Sequence, residues 1–120
     1  MDDLRVWEFE ESLWTGSAEQ FRESIDTECL MVLPKPPHVM VGKQAIQAVS
    51  DTPRWIRVVL ADRQVARPQE GLIVIAYKAE AYDHGERQYV AYCTSTLRRL
   101  AHDVWRVVQH QQTPHLESKA

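Results

Sequence analysis

The sequence over residues 72–112 predicts three long β-strands in succession, joined by two short polar turns. The first turn, at residues 83–86, places a glycine among polar side chains between two alternating runs, which is typical of a β-hairpin. Every second residue over 73–81 is uncharged, whereas Lys78 and Glu80 belong to the intervening set. A sheet with one apolar face and one partly solvated face is therefore expected, and the rest of the chain must cover the apolar face.

Shorter elements are predicted before these strands. Helical patterns occur at residues 2–14, 17–24 and 43–49, and strand patterns at residues 28–34, 39–41 and 54–68. Asp2 or Asp3 is expected to cap the first helix, because a side-chain oxygen at that position accepts a free backbone N–H. Ser17 and Gln20 have the spacing of a capping box at the start of the second helix.

Helices followed by a long antiparallel meander indicate an α+β fold. A strongly twisted sheet of this size tends to curl. The N-terminal helices are therefore expected to pack in the concave face of a curled, mainly antiparallel sheet, which gives a cone-shaped half-barrel with a cavity. One domain is predicted over residues 3–114, followed by a frayed polar tail at residues 115–120.

Composition and charge narrow the expected partners. The chain has 120 residues and a net charge of −3, whereas nucleic-acid binding favours a basic face. Its apolar runs are too short to span a membrane, and its acidic N-terminus is unlike a signal peptide. Cys29 and Cys93 are the only cysteines, and no metal-site spacing accompanies them. We therefore expect a cytoplasmic protein without metal, cofactor, nucleic acid or membrane partner.

Several short motifs together resemble a known superfamily. They are Glu11 with Leu13-Trp14-Thr15-Gly16, Met31-Val32-Leu33-Pro34, Pro53-Arg54-Trp55, Ala76-Tyr77, Tyr89 with Ser95, and Trp105-Arg106-Val107-Val108 running into His110-Gln111-Gln112-Thr113-Pro114. Over roughly residues 5–114 the chain resembles the nuclear transport factor 2-like superfamily of cystatin-like, cone-shaped α+β proteins, which includes ketosteroid isomerase and polyketide cyclase-like proteins. More narrowly, it resembles the bacterial proteins with domain of unknown function 4440.

The resemblance implies the cone fold and a tendency to form homodimers, but for the narrower group it implies no agreed reaction. Ketosteroid isomerase combines a carboxylate base with a tyrosine and a protonated aspartate that stabilise an oxyanion. No residue of this chain matches those roles one by one, so no catalytic assignment is carried over.

Glu11 is the candidate proton acceptor. It is predicted to lie on the first helix between Trp7 and Trp14, where the indole rings would desolvate its carboxylate and tune it as a general base. The alternative is that Glu11 lies at the helix edge, where it reaches water or pairs with an arginine.

Aromatic and aliphatic residues supply the candidate walls of a ligand site. Trp14, Trp55 and Ile75 are predicted to form apolar walls, while Tyr77 and Tyr89 would orient a ligand carbonyl. The tryptophans could instead belong to the core, since each buries on the order of 150–250 Å². The tyrosines lie among small residues on adjacent strands, which is compatible with a pocket floor and with a packed core.

His110 is the one histidine of five that falls within a predicted strand. Strict alternation places it on the face opposite Trp105 and Val107, which points it away from the predicted cavity. The proline-rich loop at residues 34–38 is expected at the open end of the cone, where its lysine or its histidine could meet the polar end of a ligand. The alternative is that its prolines only stiffen this part of the structure.

Two function hypotheses follow. In the first, the chain binds a small apolar carbonyl compound in the cone cavity, and catalysis of the isomerase or lyase type is left open. In the second, it is a non-catalytic homodimeric interaction or assembly domain. Alternation places these residues on the outer sheet face, where a dimer is expected to form: Val90, Tyr92, Thr94, Thr96, Val104 and Val108. A polar group facing an open void would favour the first hypothesis, and a filled cone the second.

Overall fold

The computed structural model of the protein describes residues 1–85 and 87–116. The helices are α1 (Asp3–Thr15), α2 (Ala18–Ser24) and α3 (Gly42–Ser50). The strands are β1 (Ile25–Val32), β2 (Val39–Val41), β3 (Arg57–Gln69), β4 (Leu72–Tyr82), β5 (Gln88–Ala101) and β6 (Val104–Pro114). Helix α3 lies between β2 and β3 in the chain, and the four long strands follow it. The predicted order of helices and strands is confirmed.

All the described strands belong to one sheet with the order β2-β1-β6-β5-β4-β3. Strands β3 to β6 form an antiparallel meander, and β1 pairs with β2 as an antiparallel hairpin. Strand β1 runs parallel to β6, a pairing that the sequence pattern did not predict. The helices cover the inner face of this curled, open sheet, so the predicted α+β cone is confirmed.

Helix α1 presents one buried face to the sheet. It begins after Asp2, whose side chain accepts the backbone N–H of Arg5 at 2.9 Å, as expected for a cap. The buried residues are Val6, Trp7, Glu10, Leu13 and Trp14. Their spacing is that of a single helical stripe, and Leu4 beside it is 69% exposed. The stripe therefore places position 10, rather than position 11, at its centre.

Local chemistry fixes several of the turns. Ser17 and Gln20 form the predicted capping box, in which each side chain accepts the other residue's backbone N–H. Gly71 has a φ of 78° in the turn between β3 and β4, a conformation that favours glycine. At Gly42 a Cβ atom would lie 2.0 Å from the carbonyl oxygen of Asp26, so only glycine lets α3 approach β1 this closely.

A β-bulge interrupts the alternation of β6. Thr96 of β5 pairs with Gln109, but the next residue, Leu97, pairs with Val107, so one residue of β6 has no direct partner. An extra residue of this kind shifts the alternation by one position. Val107 and His110 are consequently both buried in the interior. The prediction that His110 points away from the cavity is wrong for this reason.

The outer face of the sheet carries mainly hydroxyl and amide side chains. Thr96 donates to Gln109 at 3.0 Å, and Thr94 lies 3.4 Å from the Gln111 oxygen. Tyr92 lies on the same face and is 45% exposed. This face is therefore polar around a few apolar side chains, and less apolar than the alternation predicted.

The last described residues lie beside β5. The backbone N–H of His115 donates to the carbonyl oxygen of Val90 at 2.9 Å, so the chain stays attached to the sheet up to that residue. The rest of the predicted tail, residues 117–120, lies outside the described residues, as does position 86 of the predicted hairpin turn. Within residues 1–85 and 87–116, no helix has the length and apolar character needed to cross a membrane.

Candidate functional site

A carboxylate is buried at the centre of the interior. Glu10, in the middle of the buried stripe of α1, has no exposed surface. Its Oε2 accepts the hydroxyl hydrogen of Tyr77 on β4 at 2.5 Å and that of Ser95 on β5 at 2.6 Å. The Ser95 Oγ also lies 2.7 Å from Nδ1 of His110 on β6. One helix and three neighbouring strands thus bring these four side chains together; we call them the Glu10 cluster.

Further hydrogen bonds extend the cluster in two directions. On one side, the indole N–H of Trp14 donates to the Tyr77 hydroxyl oxygen at 3.1 Å. On the other side, Nε2 of His110 lies 3.1 Å from the side-chain nitrogen of Gln112. The side-chain oxygen of Gln112 accepts the hydroxyl hydrogen of Tyr89 at 2.9 Å. Buried polar groups are expected to be paired in this way, because an unpaired one costs free energy.

Burial shifts the pKa values of Glu10 and His110 in opposite directions. Loss of water raises the pKa of Glu10 from 4.5 to about 7, although the hydrogen bonds from Ser95 and Tyr77 favour its charged form. Loss of water lowers the pKa of His110 from 6.5 to about 4, and a backbone hydrogen bond with Thr94 acts in the opposite sense. Near neutral pH the carboxyl group therefore exchanges a proton while the imidazole stays neutral.

One oxygen of the buried carboxyl group takes no part in these hydrogen bonds. Among the described residues, Oε1 of Glu10 has no hydrogen-bond partner. An unpaired oxygen is tolerated more easily on a neutral carboxyl group than on a charged one, since a buried charge needs pairing. This agrees with the rise in the pKa of Glu10 caused by burial.

Glu11, the residue predicted as proton acceptor, is exposed on α1. Both Glu10 and Glu11 lie within about one turn of Trp14, so the tryptophan does not distinguish them. Burial of Val6 and Leu13 centres the apolar stripe on Glu10 and turns its neighbour towards solvent. The predicted burial of Glu11 is therefore wrong, and its side chain is exposed as in the alternative. The buried carboxylate lies one position earlier, which on a helix is a rotation of about 100°.

A cavity of about 250 Å³ lies beside the cluster, between the helices and the inner face of the sheet. Trp14, Trp55 and Tyr89 line it, and Trp55 stacks on the Tyr89 ring with centroids 5.8 Å apart. The structure thus brings together two of the three predicted wall residues, Trp14 and Trp55, and one of the two predicted tyrosines, Tyr89. Ile75 and Tyr77 are buried in the core and are not among the lining residues. His110 and Gln112, which were not predicted as ligand contacts, do line the cavity.

The charged side chains of the lining are both cationic. They are Lys35 and Arg54, and no Asp or Glu lines the cavity in the described part of the chain. Arg54 donates from Nε to the Gly16 carbonyl oxygen at 2.8 Å and from Nη2 to the Leu13 carbonyl oxygen. These carbonyl groups end α1, where a cation is favourable. The cavity therefore has apolar walls and a positive edge.

The proline-rich loop at residues 34–38 contributes to this edge. Its first two residues, Pro34 and Lys35, line the cavity, so the loop borders it, while its position at the open end of the cone stays a prediction. His38 has a φ of 70°, and its Nδ1 lies 3.0 Å from the carbonyl oxygen of Leu33. Of these two side chains, that of Lys35 lines the cavity and that of His38 does not.

The remaining candidate groups are less reactive. Burial raises the pKa of both Cys29 and Cys93 to about 12, so both are neutral thiols near pH 7. In the described ranges, residues 1–85 and 87–116, no three His, Cys, Asp or Glu side chains come together as metal ligands would. The Glu10 cluster is thus the candidate site for acid–base chemistry.

Comparison with solved structures places this geometry among known folds. A proposed ketosteroid isomerase from Parabacteroides distasonis ATCC 8503 is 17% identical, with 92% of this chain and 85% of that chain covered and a TM-score of 0.78. An NTF2-like protein of unknown function in nutrient uptake from Rhodospirillum rubrum ATCC 11170 is 18% identical, with coverages of 96% and 100% and a TM-score of 0.76. The CaMKII hub of S. rosetta is 12% identical, with coverages of 92% and 94% and a TM-score of 0.73.

These similarities, together with the geometry, define a cone-shaped α+β protein. More specifically, the chain has the nuclear transport factor 2-like fold. No family model matches the sequence, and the comparison with curated proteins gave no significant match. The narrower resemblance to domain of unknown function 4440 is therefore not confirmed.

Proposed function

We propose that the protein binds a small, largely apolar carbonyl compound with a negatively charged end in the cone cavity. We further propose that the Glu10 cluster supplies acid–base chemistry of the isomerase or lyase type to that compound. One observation carries the proposal: the wall of an apolar cavity contains His110, which is hydrogen-bonded through Ser95 to the buried carboxyl group of Glu10.

The size and lining of the cavity support a small ligand. A volume of about 250 Å³ lies just below the range of roughly 300–1,000 Å³ that is usual for small-molecule sites. The lining is mainly aliphatic and aromatic, and a few polar groups converge on one side: Tyr89, His110 and Gln112. Such a site favours a compound with an apolar body and one polar group to be oriented.

The charge of the cavity edge supports an anionic end on that compound. Lys35 and Arg54 line the cavity, and the described lining has no acidic side chain to neutralise them. Arg54 is held by its hydrogen bonds to the end of α1, so its position is fixed before a ligand arrives. A carboxylate on the ligand would therefore meet a positively charged edge without a large rearrangement.

The acid–base cluster supports proton transfer as the chemistry. Removal of a proton next to a carbonyl group needs a base whose pKa is close to the working pH. Burial brings the pKa of Glu10 to about 7, which fits that requirement. Tyr89, at the same end of the cavity, has a hydroxyl group that could donate to a ligand oxygen in place of Gln112.

A matched panel of ligands tests the proposal. Ketones, alcohols and monocarboxylates that share one small apolar skeleton would be titrated, with tryptophan fluorescence as the signal because Trp14 and Trp55 line the cavity. We expect keto acids to bind most tightly, and Ala48→Phe, which fills the cavity, to lower affinity at least about tenfold. Lys35→Gln should weaken binding of the acids more than that of the neutral compounds.

Ala66→Phe is the matched control, because Ala66 is exposed on β3 away from the cavity lining. It should bind the panel as the unmodified protein does. Equal binding by the Ala48→Phe and Ala66→Phe variants would show that the cavity is not the site. An absence of binding across the whole panel would overturn the proposed ligand class.

Assembly through the outer sheet face is a second proposed function. The observations that favour it are the exposure of Tyr92 (45%) on β5 and, towards the other end of the same face, that of Val104 (44%) on β6. The structural similarity to the CaMKII hub adds support, since that protein shares the fold. Assembly and ligand binding use opposite faces of the sheet, so one does not exclude the other.

A further inference from the structure

The hydrogen bonds of the Glu10 cluster have a consistent direction when the carboxyl group is charged. The Tyr77 and Ser95 hydroxyl groups both donate to Oε2 of Glu10. Since the single hydroxyl hydrogen of Ser95 is used in this way, the short contact of its oxygen with His110 needs an N–H on Nδ1. Nε2 of that imidazole is then a bare acceptor, and the nitrogen of Gln112 donates to it.

Within Glu10, Ser95 and His110 the same atoms are also consistent with the opposite direction, for which the Gln112 amide group must turn its oxygen towards Nε2 of His110. If Glu10 is neutral, its Oε2–H donates to Ser95, and the hydroxyl group donates to Nδ1 of His110. The imidazole then carries its hydrogen on Nε2, at the cavity wall. The two arrangements differ by one proton, they need no movement of heavy atoms within Glu10, Ser95 and His110, and the imidazole is neutral in both.

We propose that Glu10, Ser95 and His110 form a proton relay, in which a proton taken up at Nε2 of His110 on the cavity wall comes to rest on the Glu10 carboxylate. The use of this relay in a reaction rests on the function proposed above. The relay itself is a property of the protein without ligand. In this relay the imidazole of His110 faces the cavity, and the carboxylate of Glu10 holds the proton.

In the relay, each hydrogen that leaves one atom is bound by the next. A proton arriving at the cavity wall forms an N–H bond with Nε2 of His110, and the Nδ1–H bond breaks. That second proton binds Oγ of Ser95, whose own hydrogen passes to Oε2 of Glu10. The hydroxyl group is regenerated, the imidazole ends as its other neutral tautomer, and one new O–H bond exists on the carboxyl group. When the proton comes from a ligand C–H bond, the electron pair of that bond stays on the ligand as an enolate.

The distances explain why the serine is needed. Oε2 of Glu10 lies 3.7 Å from Nδ1 of His110, which is too long for a direct hydrogen bond. The contacts through the Ser95 oxygen are 2.6 and 2.7 Å, and both favour proton transfer between partners in contact. Gln112 occupies Nε2 at 3.1 Å, so an incoming ligand must displace its amide group.

The surroundings of the carboxyl group contain few other ionisable side chains. Tyr77 of β4, Cys93 of β5, Cys29 of β1 and His110 of β6 are those that interact with Glu10. Burial raises the pKa of the tyrosine and of both thiols, so all three keep their protons near neutral pH. The only exchangeable charge near neutral pH in this group is that of the carboxyl group itself.

Nitrogen NMR of the ligand-free protein tests the relay. Long-range ¹H–¹⁵N spectra of histidine-labelled protein distinguish the two neutral tautomers, and a His110→Gln variant assigns the signals. From about pH 5 to about pH 9 we expect the tautomer of His110 to change from Nε2–H to Nδ1–H while the ring stays neutral. The midpoint should coincide with the pKa of Glu10, which is about 7.

Three variants separate the relay from a simple electrostatic effect. Glu10→Gln should abolish the pH-dependent change of tautomer. Ser95→Ala should leave the carboxyl group able to titrate but uncouple the tautomer from it. Tyr77→Phe removes a donor to the same carboxylate without breaking the relay, so it should keep the change of tautomer and move its midpoint to higher pH.

Two results would overturn the relay. One is a single His110 tautomer across the whole pH range in the unmodified protein. The other is a change of tautomer that persists unaltered in Ser95→Ala or in Glu10→Gln; if the alanine variant does not fold, the glutamine variant decides alone. Because no ligand is present, failure here leaves the fluorescence test of the cavity unaffected, and failure of the ligand panel leaves this result unaffected.

Discussion

Oε2 of Glu10 and Nδ1 of His110 lie 3.7 Å apart, with the hydroxyl oxygen of Ser95 in contact with both. The two ionisable residues are on α1 and β6, at opposite ends of the chain. Their approach depends on the curl of the sheet, which brings the inner face of β6 against the helix. A helical stripe and a β-bulge, rather than a sequence motif, thus create the acid–base pair.

The tyrosine hydroxyl group of the cluster is expected to contribute to stability. Tyr77→Phe leaves the indole N–H of Trp14 without its acceptor and removes one of two donors to Glu10. Loss of a partner from a buried polar group costs roughly 1–3 kcal/mol. We therefore expect urea denaturation near neutral pH to show a fall of about 2 kcal/mol in the free energy of unfolding.

Tyr82→Phe is the control for that measurement. Its hydroxyl oxygen accepts an exposed hydrogen bond from Gln88, which water can replace. The change in the free energy of unfolding should stay within about 0.5 kcal/mol. Equal effects of the two substitutions would show that the hydroxyl group of Tyr77 contributes no more to the free energy of unfolding than that of Tyr82.

Both cysteines should resist modification in the folded protein. Cys29 and Cys93 are buried, and burial raises the pKa of each thiol to about 12. The reactive thiolate is therefore scarce and inaccessible. A thiol reagent at neutral pH should label both residues in urea and, over minutes, neither in native buffer. Rapid labelling of one residue in native buffer would show that the interior opens at that place.

The fold could be predicted from the sequence because the patterns that specify it extend over many residues. Alternation over the four long strands and two recognisable helix caps specify helices against a meander, and each signal repeats over many residues. The parallel pairing of β1 with β6 was not predicted, since nothing local in either strand marks it. Tertiary contacts of this kind depend on the whole sheet.

The candidate site was harder to predict from the sequence because its geometry depends on single positions. A choice between Glu10 and Glu11 turns on the phase of one helix, and the spacing of Val6 and Leu13 was the signal that could have settled it. The position of His110 turns on a bulge in β6 that no glycine or proline marks. A shift of one residue in a strand exchanges its two faces.

The outer sheet face is expected to hold two copies of the chain together. Tyr92 and Val104 are exposed near opposite ends of this face, with threonine and glutamine side chains between them that can pair across a two-fold axis. Light scattering at micromolar concentration should give a mass near twice 13.9 kDa. Tyr92→Glu should reduce that mass towards a single chain, because a desolvated charge opposes association.

Leu4→Glu provides the matched comparison, since Leu4 is 69% exposed on α1 at another part of the surface. It should leave the mass of the assembly unchanged. A mass of 13.9 kDa for the unmodified protein, or dissociation by both substitutions, would contradict an interface at the outer sheet face.

The pH dependence of stability should identify the buried carboxylate. Folding raises the pKa of Glu10 from 4.5 to about 7, so the neutral form is favoured in the folded state. The resulting stabilisation is fully present below pH 4.5 and is lost as the pH rises to about 7, at about 1.4 kcal/mol per pH unit. In the Glu10→Gln variant the amide group that replaces the carboxyl group does not titrate in this window. Relative to the unmodified protein, the variant's free energy of unfolding should therefore rise by about 3 kcal/mol over this window.

Urea denaturation at several pH values between 4.5 and about 7 measures this difference directly. Burial of His110 lowers its pKa from 6.5 to about 4, which gives a loss of stability as the pH falls through the same window. That contribution is present in both proteins and cancels in the comparison. Glu11→Gln is the adjacent control: its side chain is exposed and the substitution leaves Glu10 in place, so this variant should keep the pH dependence that Glu10 causes. A pH-independent difference for Glu10→Gln, or a pH-dependent one for Glu11→Gln, would mean that the wrong carboxylate has been placed at the centre of the cone.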